Sequence, residues 1–478
     1  MKALTCALIL AVSAALGADL TIYNQRFAVV RDTVSLELKA GVNEVRFAGA
    51  TAQVEPDSVI LRDPAGKSSW QIIEQNYRND PVSEALLLSV FEGQALDFLR
   101  REPQKPDAII KGKIVRSGYE PGRQTVEPII EVDGKLTFEL PGRPQFPALG
   151  AVTVLKPTIT WKLNAPTTVK LDAELAYVSG GFAWAATYNV MQEEKSEMID
   201  IVGWVTMQNE SGTTFTNARI KLMAGDVSRI QRQVEQYMPQ IPQSFGAAAA
   251  VPMPRTVTEK AFDEFHLYTV AHPTTLRDKE TKQVEFLRAN GVKAARIYIY
   301  HGDGINDWNT GMSVGNEPSA HTESNRKVSV YREFKNSEAN KLGIPLPRGI
   351  VRFYTQDAAD ASLQFVGENE VDHTAKDELV RLYVGNSFDL VGERKRTDYN
   401  TNNEERHWVE ESFEIKIRNR KKEPVEVRVV EHLYRSVNWT ITAKSQDFEK
   451  KEAQTIEFRV PLKPDEERTI TYKVKYTW

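Results

Sequence analysis

Along most of this chain the hydrophobic positions recur at every second residue. In "FAWAATYNV" the side chains of Phe182, Trp184, Ala186, Tyr188 and Val190 fall on one side and the residues between them on the other. That is strand spacing, because successive side chains of a strand point to opposite faces. The stretch "RTITYKVKYTW" repeats the pattern, with Ile470, Tyr472, Val474, Tyr476 and Trp478 opposed to Thr471, Lys473, Lys475 and Thr477. One face packs and the other meets water, as in an antiparallel sandwich. Shorter alternating runs, "LTIYN", "VSLELKAGVNEVRFAG" and "SVILRDPAGKSSWQIIEQNY", are bounded by Gly, Pro, Asp or Asn, the residues that turn a chain. Helical periodicity is scarce, and "SRIQRQVEQY" is its best example.

The pattern predicts an all-β chain of several antiparallel β-sandwich domains. The runs "LLLSVFEGQALDFLRR", "AIIKGKIVRSGY" and "PIIEVDGKLTFELPG" have close turns and glycines within strands, which reads as a small β-barrel-like insertion in an N-terminal β domain, residues 18–150. Pro141, Pro144, Pro147 and Pro157 crowd the passage that follows and mark its boundary. A central β-sandwich, residues 151–378, contains a Pro/Ala-rich segment at 237–255 that has no periodicity and too little apolar surface to offset its ordering entropy, so it is predicted to be mobile. The strand pattern resumes with "DEFHLYTV", "KQVEFLRA" and "AARIYIYHG". From residue 379 onward about seven short strands follow one another, which matches an immunoglobulin-like sandwich over 379–478 without the cysteine pair.

Location follows from the opening "MKALTCALILAVSAALGAD". A lysine, an apolar run too short to span a bilayer and then small residues form the three-part layout of a signal peptide, residues 1–17. Cleavage near Ala18 removes Cys6, the single cysteine, so the mature chain offers no disulfide, iron–sulfur cluster, zinc–thiolate site or cysteine nucleophile. Export without disulfides fits a bacterial envelope, periplasmic or extracellular. Cleavage also takes Lys2 from the 61 basic residues and leaves all 65 acidic ones, a net charge of about −5, from which no affinity for nucleic acid follows. No second apolar run approaches membrane-span length, so the mature chain is expected to lack a transmembrane segment.

The passages "AELAYVSGGFAWAATYNV", "GWVTMQNESGTTFTNARIKLMAGDV", "LYTVAHPTTLRDKETKQVEF" and "AQTIEFRVPLKPDEERTITYKVKYTW" resemble a family of exported bacterial proteins named only as a domain of unknown function, number 4139. Its better-known relatives are called mucoidy-inhibitor-like. The likeness extends upstream through "LPRGIVRFY", "LQFVGENEVDHT" and "EQNYRND". It implies a β-rich, extracytoplasmic architecture and no particular reaction. This chain lacks the long coiled-coil passage of the mucoidy-inhibitor-like relatives, so a role in exopolysaccharide control does not carry over.

Chemistry-bearing motifs are few. "HGDGINDWN" gathers His301, Asp303, Asn306 and Asp307, but Ile305 interrupts the alternating oxygens of a calcium loop. His373 has no partner four residues on, and no H-E-x-x-H occurs. Ser179 in "VSGGF" lacks the spacing of a nucleophile elbow. Neither a P-loop nor a paired-glycine nucleotide fingerprint is present, and no catalytic, cofactor-binding or metal residue is assigned. Trp184 belongs to a core by its alternation, whereas Trp408 and Trp439, beside charged or polar neighbours, are better placed to be exposed. Asn209 and Asn438 match a glycosylation pattern that matters only in a eukaryotic secretory pathway. These features together predict a binding or scaffolding module whose partner is an envelope protein or glycan. A glycan-active hydrolase with loop carboxylates and a structural assembly subunit are the alternatives.

Overall fold

The computed structural model describes residues 8–10, 17–67, 69–79, 83–101, 106–120, 126–147, 156–225, 227–228, 257–303, 322, 324–401 and 407–478. The segment 237–255, most of "SRIQRQVEQY", and Asn306 and Asp307 lie outside the described residues. The described chain is nearly all β, arranged in several antiparallel and mixed sheets. Among these residues no helix is long and apolar enough to cross a membrane. Two compact units emerge, one from residues 1–184, 206–252 and 256–283, the other from 185–205, 253–255 and 284–478.

The first unit is built on an eight-stranded sheet in which Phe27–Leu38 pairs with Val169–Gly180 along twelve residues, from Leu38 opposite Val169 to Phe27 opposite Gly180. Alternation decides what is buried. Leu20 and Ile22 on Asp19–Tyr23, and Val34, Leu36 and Leu38 on the next strand, are fully covered. Trp161, on Thr158–Ala165 of a four-stranded sheet, is likewise buried and donates its indole N–H to Gln75 at 2.8 Å, which satisfies the one polar group of that ring.

Residues 95–145 form an open five-stranded sheet rather than a barrel-like insertion. Its two edge strands, Lys135–Thr137 and Arg143–Gln145, have three residues each and do not pair with one another, so no pairing among the described residues closes a cylinder. Phe98, Ile114 and Ile130 make its small core. Gly112 lets them meet, since a Cβ there would fall 2.8 Å from Ile130 and 2.9 Å from the Phe98 ring. The "LLLSV" read as strand is instead the end of a helix, Glu84–Val90, whose N-cap Ser83 accepts a hydrogen bond from the Leu86 N–H. Leu86 and Leu88 turn inward from it. A capping serine ahead of the apolar run carries the signal that period-two counting overlooks.

The second unit contains most of a five-stranded sheet, in which Phe182–Glu193 runs parallel to Gly349–Gln356. It also contains a nine-stranded mixed sheet. In spatial order the latter comprises Trp439–Lys444, Glu467–Thr477, Trp408–Asn419, Leu379–Thr401, Lys327–Lys335, Ala295–His301, Val425–His432, Thr455–Leu462 and Glu449–Glu452. Where the last hundred residues alone predict seven strands in two sheets, the pairing shows one sheet completed by two strands from upstream. Tyr472 and Phe458 sit on its second and eighth strands, yet their rings are 5.8 Å apart. The sheet is therefore bent over on itself like a sandwich, its two ends enclosing one core of Val409, Phe413, Ile415, Val429, Phe458, Tyr472 and Val474 among others. Each such side chain contributes roughly 1.5–3 kcal/mol by leaving water.

Candidate functional site

Sequence alternation assigns inward positions in the bent sheet to residues that are not all apolar. On Trp408–Asn419 the inward set is Val409, Glu411, Phe413, Ile415 and Ile417, and on Val425–His432 it includes Val427, Val429 and Glu431. Both glutamates are fully buried. A carboxylate in such a place persists only if it is paired and hydrogen-bonded. Glu431 accepts from Arg394 Nε at 2.9 and 3.2 Å and from the Tyr472 hydroxyl at 2.5 Å. Glu411 accepts from Arg396 and Arg435, each at 2.9 Å, and from Tyr434 at 3.2 Å. Asp303, also buried, accepts from the His432 backbone N–H at 3.1 Å and lies 2.8 Å from its Nδ1. The guanidinium of Arg394 lies 4.0 Å above the Phe413 ring.

The electrostatics follow from burial set against pairing. Desolvation pushes the Glu431 carboxyl above its ordinary value while Arg394 pulls it down. Burial likewise opposes the Arg394 charge, but Glu431 and the neighbouring Tyr472 and Asp303 hold that guanidinium more firmly protonated than usual. Asp303 is desolvated too, and the hydrogen bond and charge of His432, with Arg394 behind them, keep its carboxyl below its ordinary value. Close packing seals this network. A Cβ on Gly392 would fall 2.0 Å from the Tyr300 ring. The Arg394, Arg435, Glu411, Glu431 and Asp303 side chains are at most 1 % exposed, so the network is buried within the sheet.

A second charged group faces a cleft. Across the pairing of Ala295–His301 with Lys327–Lys335, Arg296 stands directly opposite Arg332, a like-charge juxtaposition that costs stability. Arg332 occupies the inward phase of "VSVYREFK" and is 1 % exposed. Its Nη atoms donate to backbone carbonyls, Ala294 at 3.0 Å and Ser196 at 2.9 Å. Burial, with Arg296 next, pushes its guanidinium down to about 10, and Glu197 pulls weakly the other way. Arg332 is therefore charged near neutral pH. Lys421 completes the group, its Nζ donating to the Tyr298 hydroxyl at 3.0 Å. The three cations line a cleft of about 240 Å³ whose one acidic residue among those described is Asp389.

The positions singled out in the sequence sit elsewhere. Trp184 is 5 % exposed and donates to the Met223 carbonyl at 3.1 Å. Trp408 and Trp439 are half-buried rather than exposed, each with a lysine Nζ 4.9 Å from its ring centre. Ser179 is buried at a strand end, bonded to Thr51 at 2.6 Å, where the chain turns through Gly181 at φ +80°. His373 is exposed and accepts from the Arg348 N–H. Buried Asn209 anchors its own turn through the carbonyls of Thr213 and Leu276, while Asn438 is exposed. Among the described residues no three His, Cys, Asp or Glu side chains converge as a metal would need. Arg296, Arg332 and Lys421 were not singled out, although a charged residue in apolar phase, as at Arg332, is a legible signal.

The described residues thus form a bent-sheet β protein with a buried ion network and an open cationic cleft. The family model described as a domain of unknown function, DUF4139, matches residues 173–478, and the chain belongs to that family. A search of the curated proteins finds no match.

Proposed function

We propose that this is an exported cell-envelope protein, periplasmic or extracellular, that binds or scaffolds an envelope component without turning it over. The observation that carries the reading is the cleft at Arg296, Arg332 and Lys421, which is concave and rich in fixed donors but, among the described residues, has only Asp389 as an acid. Glycoside hydrolysis in its usual form needs two carboxyl groups flanking the bond. The two fully buried glutamates of this unit, Glu411 and Glu431, are neutralised by arginines inside the sheet. The signal-peptide layout of residues 1–17 and the resemblance to exported proteins support the location.

The test is to incubate the purified protein with cell-wall and exopolysaccharide fractions, measuring both co-sedimentation and newly released reducing ends or peptides. Retention without release is the expected result. Sustained release that stops when acidic side chains are neutralised would replace this reading with the hydrolase. Neither retention nor release, together with a mass in solution that rises with concentration, would favour an assembly subunit.

A further inference from the structure

The cleft is specific enough to name the chemistry of what it takes. Arg296 and Arg332 face each other across two strands, and neither has a carboxylate ion-pair partner among the described residues. In the sealed network of the same unit, every buried arginine meets a glutamate. Two neighbouring arginines without a salt-bridge partner beside open volume, Arg332 feeling only the weaker pull of Glu197, with Lys421, whose Nζ lies 3.8 Å from Glu423, on the same cleft, make a site for an anion. Planar guanidinium groups suit a carboxylate or a phosphate, whose oxygens match their fork of donors.

A second observation independently points to a ligand. Gln192 lines the same cleft, is 8 % exposed and donates from Nε2 to Thr355 at 2.8 Å, while its Oε1 is buried and receives no hydrogen bond among the described residues. Buried amide oxygens in folded proteins are almost always satisfied. A ligand hydroxyl would supply the missing donor. Phe388, which is 96 % exposed, stands at the cleft with Val366 and Val384 and offers an apolar surface for the ligand's carbon frame. The volume of about 240 Å³ falls just under the ~300–1,000 Å³ of pockets for larger ligands, so it admits one ring-sized group or a chain end.

The geometry points to a binding site for a hydroxylated organic oxyanion, a sugar acid or a sugar phosphate, held by Arg296 and Lys421 on its charge, with the buried Arg332 adding its field from behind, and by Gln192 on a hydroxyl. This inference rests on the proposal that the protein binds without turnover, and it names the ligand class.

The experiment is isothermal titration of the full chain with glucuronate, glucose 1-phosphate, glucose, acetate and inorganic phosphate. Saturable binding of glucuronate or glucose 1-phosphate is expected, and which one binds identifies carboxylate or phosphate as the charge. Glucose should give none, and acetate and phosphate should bind more weakly. Arg296→Gln and Lys421→Gln should each weaken binding about tenfold or more, the usual effect of losing a charged hydrogen bond. Phe388→Ala alters an exposed side chain, so it should keep the parent melting temperature and still bind less well, which separates a site effect from misfolding. Equal binding of glucose, no saturable binding of either charged sugar, or affinities unmoved in both cation variants would overturn the site. If the Arg296→Gln protein still co-sediments with envelope fractions at the parent level, this site is wrong and the binding reading stands. If the parent protein fails to co-sediment, that reading falls, while the titrations still decide the site.

Discussion

Arg394 shows what a single residue does in the bent sheet. It neutralises Glu431 and covers Phe413, so replacing it by methionine keeps most of the packing but strands a carboxylate in the core. Arg394→Met is expected to lower unfolding free energy by about 3–5 kcal/mol, the usual consequence of removing one partner of a buried pair. The double variant Arg394→Met, Glu431→Leu removes both charges and should recover most of that loss. Chemical denaturation of the three proteins checks this, and a double variant no more stable than the single one would show that the charges are not the source. At this scale the sequence was half legible. Trp184 is identifiable as core from its neighbours, and Glu411, Glu431, Arg332 and Arg394 interrupt or sit in apolar phases, so each is visible as an anomaly. What each meets is not visible. Glu431 finds Arg394 thirty-seven positions away, and local spacing carries no record of a pairing that only the fold creates.

The individual strands were the most legible elements, because one buried face imposes its period on every residue. The failures have local causes. "VRLYVGNS" and "FDLVGERKRTDY" read as two strands but form one, Leu379–Thr401, since Gly385 at φ +159° is extended backbone inside it and the register against Lys327–Lys335 shifts nearby. Trp478, assigned to the inward face of the last strand, follows its end and is 50 % exposed, so it lacks the cover given to Tyr476. That strand carries the next prediction. Glu467–Thr477 lies between Trp408–Asn419 and Trp439–Lys444 and buries Ile470, Tyr472, Val474 and Tyr476. Deleting residues 469–478 should expose the unpaired edge of Trp408–Asn419 and drive aggregation. Sedimentation and melting measurements decide it, and a monomer that melts like the parent would contradict the assignment.

At the scale of the whole molecule, sheet membership was the least legible property. Strand Ala295–His301 joins Val425–His432 in parallel across more than a hundred residues, and nothing in either segment announces the other. The same long-range closure brings Asp303, just beyond the first of these strands, onto His432 at the end of the second, and so ties folding to pH. Asp303 ionises below its unfolded value of 3.8. The unfolded chain therefore binds the proton more readily, and ionised Asp303 contributes stability above that value that is lost as pH falls through the folded one. Glu431, pushed up from 4.5 by burial, has the opposite sign, since what it contributes is present at low pH and lost as pH rises through its folded value. The parent's pH profile sums both, so the informative quantity is a difference. Asp303→Asn should be less stable than the parent at pH 6, and the gap should shrink as pH falls below the unfolded value of 3.8, where the unfolded chain takes up the proton, and be lost once pH passes the lower folded value. Urea unfolding of both proteins between pH 2.5 and 6 measures the gap. A gap constant across that range would mean that Asp303 acts through packing alone, and that the His432 contact adds nothing through charge.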